Sequence, residues 1–446
     1  MDYIKIKNMY KYLFIRVVSY IIIWQIYLLF MSNYAPLGTD WLSWHAQRIY
    51  NFSEYLKLNG FFSSYGFSIW SQCEDCSLNL ENWQNKIYLS VNIFSIFPYV
   101  IINDFFGSNN LKLYGHLFDK FIILLSGILL SELLIFLSTK KIGIDSYLKS
   151  ILIFIFFIIN PWTYKMILGF WPNIFFISFF LLGILTILNK RYFFGLLFFL
   201  IAGFFDYQSS AGLVLFYILI LLFSYFKNKF FILKDYIPSY DSSNSIQFKI
   251  IISFLIPVLS FFIIKIIATN EMDNLVGTSL LYRIGIVGND FHNGGIFGAI
   301  QFLGGNRITQ CLINSDIQIN SMDINSKIYI FNCILSTLSM FFISLISILG
   351  LFFSLKNEKI YFNLIIFPML FLLLLYTFIL QQSSSVHLMG YSYFFSILFS
   401  VGITSLIFKI LEKFQFSLLS ILIISPVTIG IFLLCIRINM MTGING

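Results

Sequence analysis

Between the first two apolar runs of this chain lies a long polar segment, residues 32–115, which holds most of the side chains that could do chemistry. Asp40, Trp41, Trp44, His45, Arg48 and Glu54 come early in it; Trp70, Cys73, Glu74, Asp75, Cys76, Glu81 and Trp83 follow. Asp40 stands shortly after an apolar run and beside two tryptophans. A carboxylate at a membrane rim among aromatics is partly desolvated, and could act as a general base or orient an acceptor hydroxyl. The plainer reading is an ordinary acid in an aromatic belt. A second polar segment, 269–326, is rich in Gly and Asn and carries Arg283 and Arg307. Those arginines are either solvated or partners for a phosphate or pyrophosphate. Asp206 and Gln208 sit in a tight polar turn, and His387 and Tyr391 follow the Gln-Gln-Ser-Ser-Ser run that starts at Gln381.

Other combinations carry less. The four histidines, His45, His116, His292 and His387, show no ligand spacing of the His-x-x-x-His kind, so no metal or other cofactor is called for. Cys73-x-x-Cys76 lacks thioredoxin-like flanks, and its acidic neighbours disfavour a reactive thiolate; a small structural disulfide is expected. Asp119 and Lys120 are adjacent and read as neutralising each other, while Glu132 and Lys265 read as snorkelling towards the nearest interface.

The elements that must position these groups are membrane helices. The chain is 59% hydrophobic and 11% charged, with a mean hydropathy of +0.85. A soluble domain carries about 25% charge. Apolar runs long enough for the ~20-residue spanning requirement recur throughout. The net charge of +8 could suggest nucleic acid, but Lys and Arg fall in short clusters between apolar runs and no nucleic-acid motif accompanies them. That is the positive-inside pattern. The composition suits a bacterial plasma membrane.

Taken in order, Lys5, Lys7, Lys11 and Arg16 place the N-terminus in the cytoplasm, and a retained first helix (14–31) runs outward. Within the first outer loop, Ile87–Phe106 is apolar but broken by Pro98. It is an interfacial helix or an extra hairpin; the first is preferred, because one extra span would invert every later charge cluster. Spans follow at 116–138, from 149 to Asn160-Pro161, and at 167–188. A short pair, 192–205 and 211–226, flanks the turn at Asp206, and fourteen residues at ~1.5 Å each fall short of a ~30 Å hydrocarbon core. A polar inner loop, 227–248, precedes spans at 249–268, 328–354, 360–380, 388–408 and 415–436. The expectation is an all-α polytopic bundle of about 11 spans with two long outer loops. It divides into an N-terminal membrane module (1–226), the inner loop, and a C-terminal module (249–446). Both polar loops, the 381–387 segment and the turn at Asp206 then share the extracytoplasmic side.

The order and texture over residues 14–226 resemble the GT-C superfamily of integral-membrane glycosyltransferases. A first helix leads to a long outer loop with an acid near its start, Asp40. A helix then returns, and the next ends in Ile158-Ile159-Asn160-Pro161-Trp162. A further helix opens with Phe170-Trp171-Pro172-Asn173, and a tight short pair turns at Phe205-Asp206-Tyr207-Gln208. Val386-His387 through Tyr391, ahead of an apolar helix, looks like the family's C-terminal half. Two features differ: Trp41 stands where the family has a second acid, and no Asp-x-Asp is present.

The resemblance implies transfer of a sugar from a polyprenyl-phosphate donor to a glycan or lipid acceptor, with inversion, on the extracytoplasmic face. It gives Asp40 the catalytic role. His45, Arg48, Asp206, Gln208, Arg283, Arg307, His387 and Tyr391 are the candidates to bind substrate. The partners are the lipid-linked sugar, its acceptor and membrane lipid, with no nucleic acid. A lipid-linked oligosaccharide flippase, or a non-catalytic membrane protein of the same shape, are the alternatives. A flippase would carry charge in mid-helix and paired halves.

Overall fold

In the computed structural model the described residues are 13–32, 56, 67–71, 85–92, 94, 96–137, 144–168, 174–226, 244–271, 275–276, 324–357, 361–379, 392–413, 428–431 and 433–435. Helix dominates them. Three helical segments, Leu113–Leu137, Ile246–Ile267 and Tyr393–Lys413, are long and apolar enough to cross a membrane, which fits a membrane protein; shorter apolar helices accompany them. The last expected span, 415–436, falls mostly outside the described residues.

Two compact units are formed, and neither is continuous in sequence. The first contains α1 (Leu13–Ser32), the last turns of α3 (Ser108–Leu137), α4 (Ile144–Ile159) and most of α5 (Pro161–Leu168). It also contains α10 (Ile324–Asn357), a π turn at Phe362–Ile366, α11 (Phe367–Ile379) and α12 (Ser392–Lys413). Asn160 separates α4 from α5 and serves both. Its Nδ2 donates to the carbonyls of Phe156 and Phe157 at 2.9 and 2.7 Å, and its Oδ1 accepts from Thr163 N at 2.8 Å. Pro161 then occupies the first position of α5, where a missing N–H costs nothing. Ser396 Oγ donates to the same Oδ1 at 3.2 Å, and Trp162 stacks on Phe395 at 5.5 Å, so this end of α4 meets the start of α12. Lys149, near the other end of α4, lies over the ring of Phe408, late in α12. The two helices are therefore antiparallel.

In this unit α10 and α12 approach each other closely. A Cβ on Gly350 would lie 1.8 Å from the Gly402 carbonyl oxygen, and one on Gly402 would lie 2.2 Å from that of Ser347. Small residues let helix backbones touch, the usual way helices associate where apolar burial alone gives no driving force. The π turn precedes Pro368, which has no N–H for the Leu364 carbonyl; a widened turn accommodates the misfit.

The second unit holds a small sheet, α2 (Phe97–Phe106), the first part of α3, α6 (Ile174–Leu188), α7 (Tyr192–Phe205), α8 (Tyr207–Phe226) and α9 (Asn244–Glu271). The sheet lies outside the all-α expectation. Its strands are β1 (Phe67–Ser71), β2 (Asn85–Asn92) and β3 (Leu275–Val276), with β2 central. β1 runs antiparallel to β2, pairing Ile69 with Ile87, and β3 runs parallel to it, pairing Leu275 with Ile87.

The stretch expected as one interfacial helix over 87–106 is thus a strand followed by a helix. The sequence Lys-Ile-Tyr-Leu-Ser-Val has the β-branched and aromatic content of a strand. Pro98, in the first turn of α2, sets where the helix begins. Gly107, at φ 78°, ends α2 and turns the chain straight into α3, a conformation in which a Cβ would be strained.

Within this unit α6 and α7 are joined by a turn with Lys190 in the left-handed region (φ 62°), where Arg191 N donates to the Thr186 carbonyl at 2.9 Å. Gly203 lets Pro257 of α9 approach α7; a Cβ there would meet Pro257 Cγ at 2.6 Å. Ser126 of α3 and Ser178 of α6 share a hydrogen bond at 2.6 Å.

Candidate functional site

Seven of the nine residues expected to act on substrate, Asp40, His45, Arg48, Arg283, Arg307, His387 and Tyr391, lie outside the described residues, as do Cys73 and Cys76. The other two, Asp206 and Gln208, sit where α7 ends and α8 begins. Asp206 is buried, and its carboxylate caps α8. Oδ1 accepts from Gln208 N at 3.1 Å and Ser209 N at 3.0 Å, and Oδ2 accepts from Ser209 Oγ at 2.6 Å. An N-terminal helix end has orphan N–H groups and a favourable dipole for negative charge, so capping accounts for this burial. Gln208 Nε2 donates to Tyr207 Oη at 2.9 Å, and the Tyr207 ring stacks on Phe261 of α9.

The second unit also buries an acid that the sequence reading paired wrongly. Asp119 does not neutralise Lys120. Its Oδ1 accepts a 2.5 Å hydrogen bond from Tyr99 Oη of α2, and its Oδ2 has no hydrogen-bond partner among the described residues. Adjacent residues on a helix point about 100° apart, which is why Asp119 faces inward and Lys120 does not share its surroundings. Tyr99 and Asn103, one turn apart on α2, are both buried, and so are His116 and Asp119, one turn apart on α3. Burial, reinforced by the neighbouring carboxylate, holds the Tyr99 phenol well above its ordinary pKa, so it remains a hydrogen-bond donor at physiological pH.

Aromatic rings connect this pair to the turn at Asp206. Phe175, in the first turn of α6, meets Tyr99 edge-on at 6.3 Å, Phe118 at 5.4 Å and Phe205 at 4.8 Å. Phe94, just after β2, lies 4.5 Å from Phe204. One end of the unit therefore collects α2, the first turns of α3, α6 and α8, and the last turn of α7. These are the segments that alternating helices would bring to a common side. Nothing among the described residues hydrogen-bonds to Asp119 Oδ2, a position that suits a hydroxyl or another polar group. Among the described residues no three His, Cys, Asp or Glu side chains converge on a metal position.

The first unit buries a different polar cluster. Arg16 makes a two-pronged contact with Glu132, Nε to Oε1 at 2.8 Å and Nη2 to Oε2 at 2.7 Å. Tyr20 Oη donates to Glu132 Oε1 at 3.0 Å and is also hydrogen-bonded to Ser150 Oγ. The guanidinium lies 4.8 Å above the Tyr147 ring. Glu132 is thus met by a cation on α1. Two opposite charges on separate apolar helices were the available sign of this pair, and without a third dimension nothing linked positions so far apart in sequence. Set against known proteins, the chain matches no family model, no curated protein and no solved structure.

Proposed function

We propose that this protein is a membrane glycosyltransferase of the GT-C kind. It spans the bilayer about eleven times with a cytoplasmic N-terminus. It moves a sugar from a polyprenyl-phosphate donor to a glycan or lipid acceptor on the extracytoplasmic face. Asp40 is the base that takes or directs the proton of the acceptor hydroxyl; Arg283 and Arg307 hold the departing lipid phosphate.

The observation that carries this reading is the element order over the first half of the chain. A first helix, a long polar segment, a returning helix, a helix broken at Asn160-Pro161, and a short pair turning at Asp206 succeed one another as the resemblance requires. The turn at Asp206 joins the end of the second unit where β2 leads into α2, so the first polar segment and the short pair share one neighbourhood. The test is direct. Purified protein in lipid, given a labelled polyprenyl-phosphate sugar and membrane-derived acceptors, should release polyprenyl phosphate and pass label to acceptor. Label that crosses the bilayer still attached to its lipid would replace this reading with a flippase.

A further inference from the structure

We propose that α2 lies in the plane of the lipid–water boundary, with its Phe97, Ile101 and Phe105 stripe set into the bilayer, and that it moors the small sheet at headgroup depth. The helix has two contrasting faces. Tyr99, Val100 and Asn103 are buried against the second unit, whereas Phe97, Ile101 and Phe105, each one turn from the next, are exposed, Phe105 at 80%. Ten residues at ~1.5 Å make a rod of about 15 Å, half of what a hydrocarbon core requires, so α2 cannot span. A buried face holding Tyr99 and Asn103 also rules out lipid on all sides.

The occupant of the exposed stripe follows from what continues it. α3 contains a segment, Leu113–Leu137, long and apolar enough to cross a membrane, and its exposed Leu113, Leu117 and Phe121 form a second stripe with the same spacing. The exposed rings of Phe106 and Tyr114 stack at 4.1 Å across the Gly107 turn and join the two. The surface of α2 is thus an extension of the lipid-facing side of a spanning helix. Asp104, exposed at the border of the stripe, belongs on the water side. Residues 93–96 tie α2 to β2, the central strand, so the helix fixes how far the sheet stands from the membrane. The depth matters because a lipid-borne phosphate lies at that level; this last step rests on the transfer reading, and the placement of the helix does not.

The apolar side of an interfacial helix sits about 5–10 Å into the headgroup–acyl boundary, within reach of bromine atoms placed high on the acyl chain. The probe is therefore tryptophan emission of the full chain in nanodiscs made with phosphatidylcholine brominated near the headgroup or near the chain end. Phe97→Trp, Ile101→Trp and Phe105→Trp are compared one at a time with the parent, and Leu117→Trp serves as the lipid-facing reference. All replace exposed side chains, and variants that elute as the parent does are measured. Shallow bromine should remove about half or more of the added emission at 97, 101 and 105 alike, with little effect from deep bromine or aqueous iodide. Quenching that deepens steadily from 97 to 105 would mean a transmembrane segment, iodide quenching alone a solvated helix, and quenching by neither a protein-covered one; each overturns the proposal. If shallow quenching holds while polyprenyl phosphate is not released, the transfer reading fails and the mooring stands.

Discussion

Asp119 and Glu132 are carried by the same helix, α3, Asp119 fully buried and Glu132 partly, and their surroundings differ. Glu132 has a guanidinium at two-pronged distance and a phenol besides. Among the described residues Asp119 has one phenol on one oxygen, and no hydrogen bond to the other. A buried charge is tolerated when it is paired and its remaining lone pairs are occupied, and is costly otherwise. Glu132 meets that condition and Asp119 does not. The saturated carboxylate ties the end of α3 to α1, and Tyr20 carries the link on to Ser150 of α4. The unsaturated one keeps room for a proton or a donor, and it stands at the end of its unit where α7 turns into α8.

The same isosteric change should therefore have opposite consequences at the two positions. Glu132→Gln removes the anion facing Arg16 and leaves a cation stranded in a protein interior. Breaking one side of a buried pair costs about 3–5 kcal/mol, so this variant should unfold far below the parental temperature or fail to accumulate. Replacing both partners, Arg16→Met with Glu132→Met, should recover most of the loss, since no charge is then left alone. Thermal unfolding in detergent, followed by the monodisperse fraction that survives heating, gives both numbers. Parental stability in the single variant would show that Arg16 finds another counter-charge.

A carboxylate that performs chemistry should differ from both in leaving stability untouched. Asp40→Asn keeps the shape and removes the base. Transfer should fall about a hundredfold or more, the range of a general base, with expression and donor binding close to the parent. Full activity in this variant would remove Asp40 from the mechanism.

Much of the fold was readable because helices in a bilayer answer to length and apolarity, properties written locally in the chain. The breaks at Asn160-Pro161 and at Asp206 were visible for the same reason: proline, and a polar run between short apolar ones, act within a few residues. What escaped the sequence was pairing at a distance. Arg16 with Glu132 and Tyr99 with Asp119 join residues on different helices, and no periodicity records which side of one helix meets which side of another. The strand at β2 was missed because Ile87–Phe106 is mostly apolar on both sides of Pro98, so composition hid the change of period. Asp206 was read as a candidate to bind substrate in a tight polar turn, and what the sequence did not reveal is that its carboxylate meets the backbone of α8 and the Ser209 hydroxyl.

The Tyr99–Asp119 pair gives a smaller and more diagnostic effect. Tyr99→Phe deletes the hydrogen bond from Tyr99 to the buried carboxyl, a cost of about 1–3 kcal/mol. Asp119→Asn, by contrast, keeps an oxygen to accept from Tyr99 and buries no charge, so stability should stay within about 1 kcal/mol of the parent or rise. Read beside Glu132→Gln, the pair of amides measures how much a counter-ion is worth on one helix. A large loss from Asp119→Asn would mean that a cation does reach Oδ2 in the membrane.

The smallest effect expected is at the turn. Asp206→Ala removes the cap of α8, and losing a cap costs about 0.5–2 kcal/mol. Asp206→Ser retains a side-chain oxygen able to accept from the N–H groups of Gln208 and Ser209, and should recover most of that loss, because serine caps nearly as well as aspartate. Stability and transfer, measured on both variants, then separate two roles for one carboxylate. If Asp206 only caps, the Ser variant matches the parent in both, and the turn belongs with Glu132 among the groups that hold the bundle. If the Ser variant folds as well as the parent but transfers poorly, the charge itself is needed, and Asp206 belongs with Asp40. The distances favour the cap, since Oδ1 already serves two N–H groups and Oδ2 the Ser209 hydroxyl. A substrate hydroxyl would have to compete with bonds the helix makes at every moment of its existence.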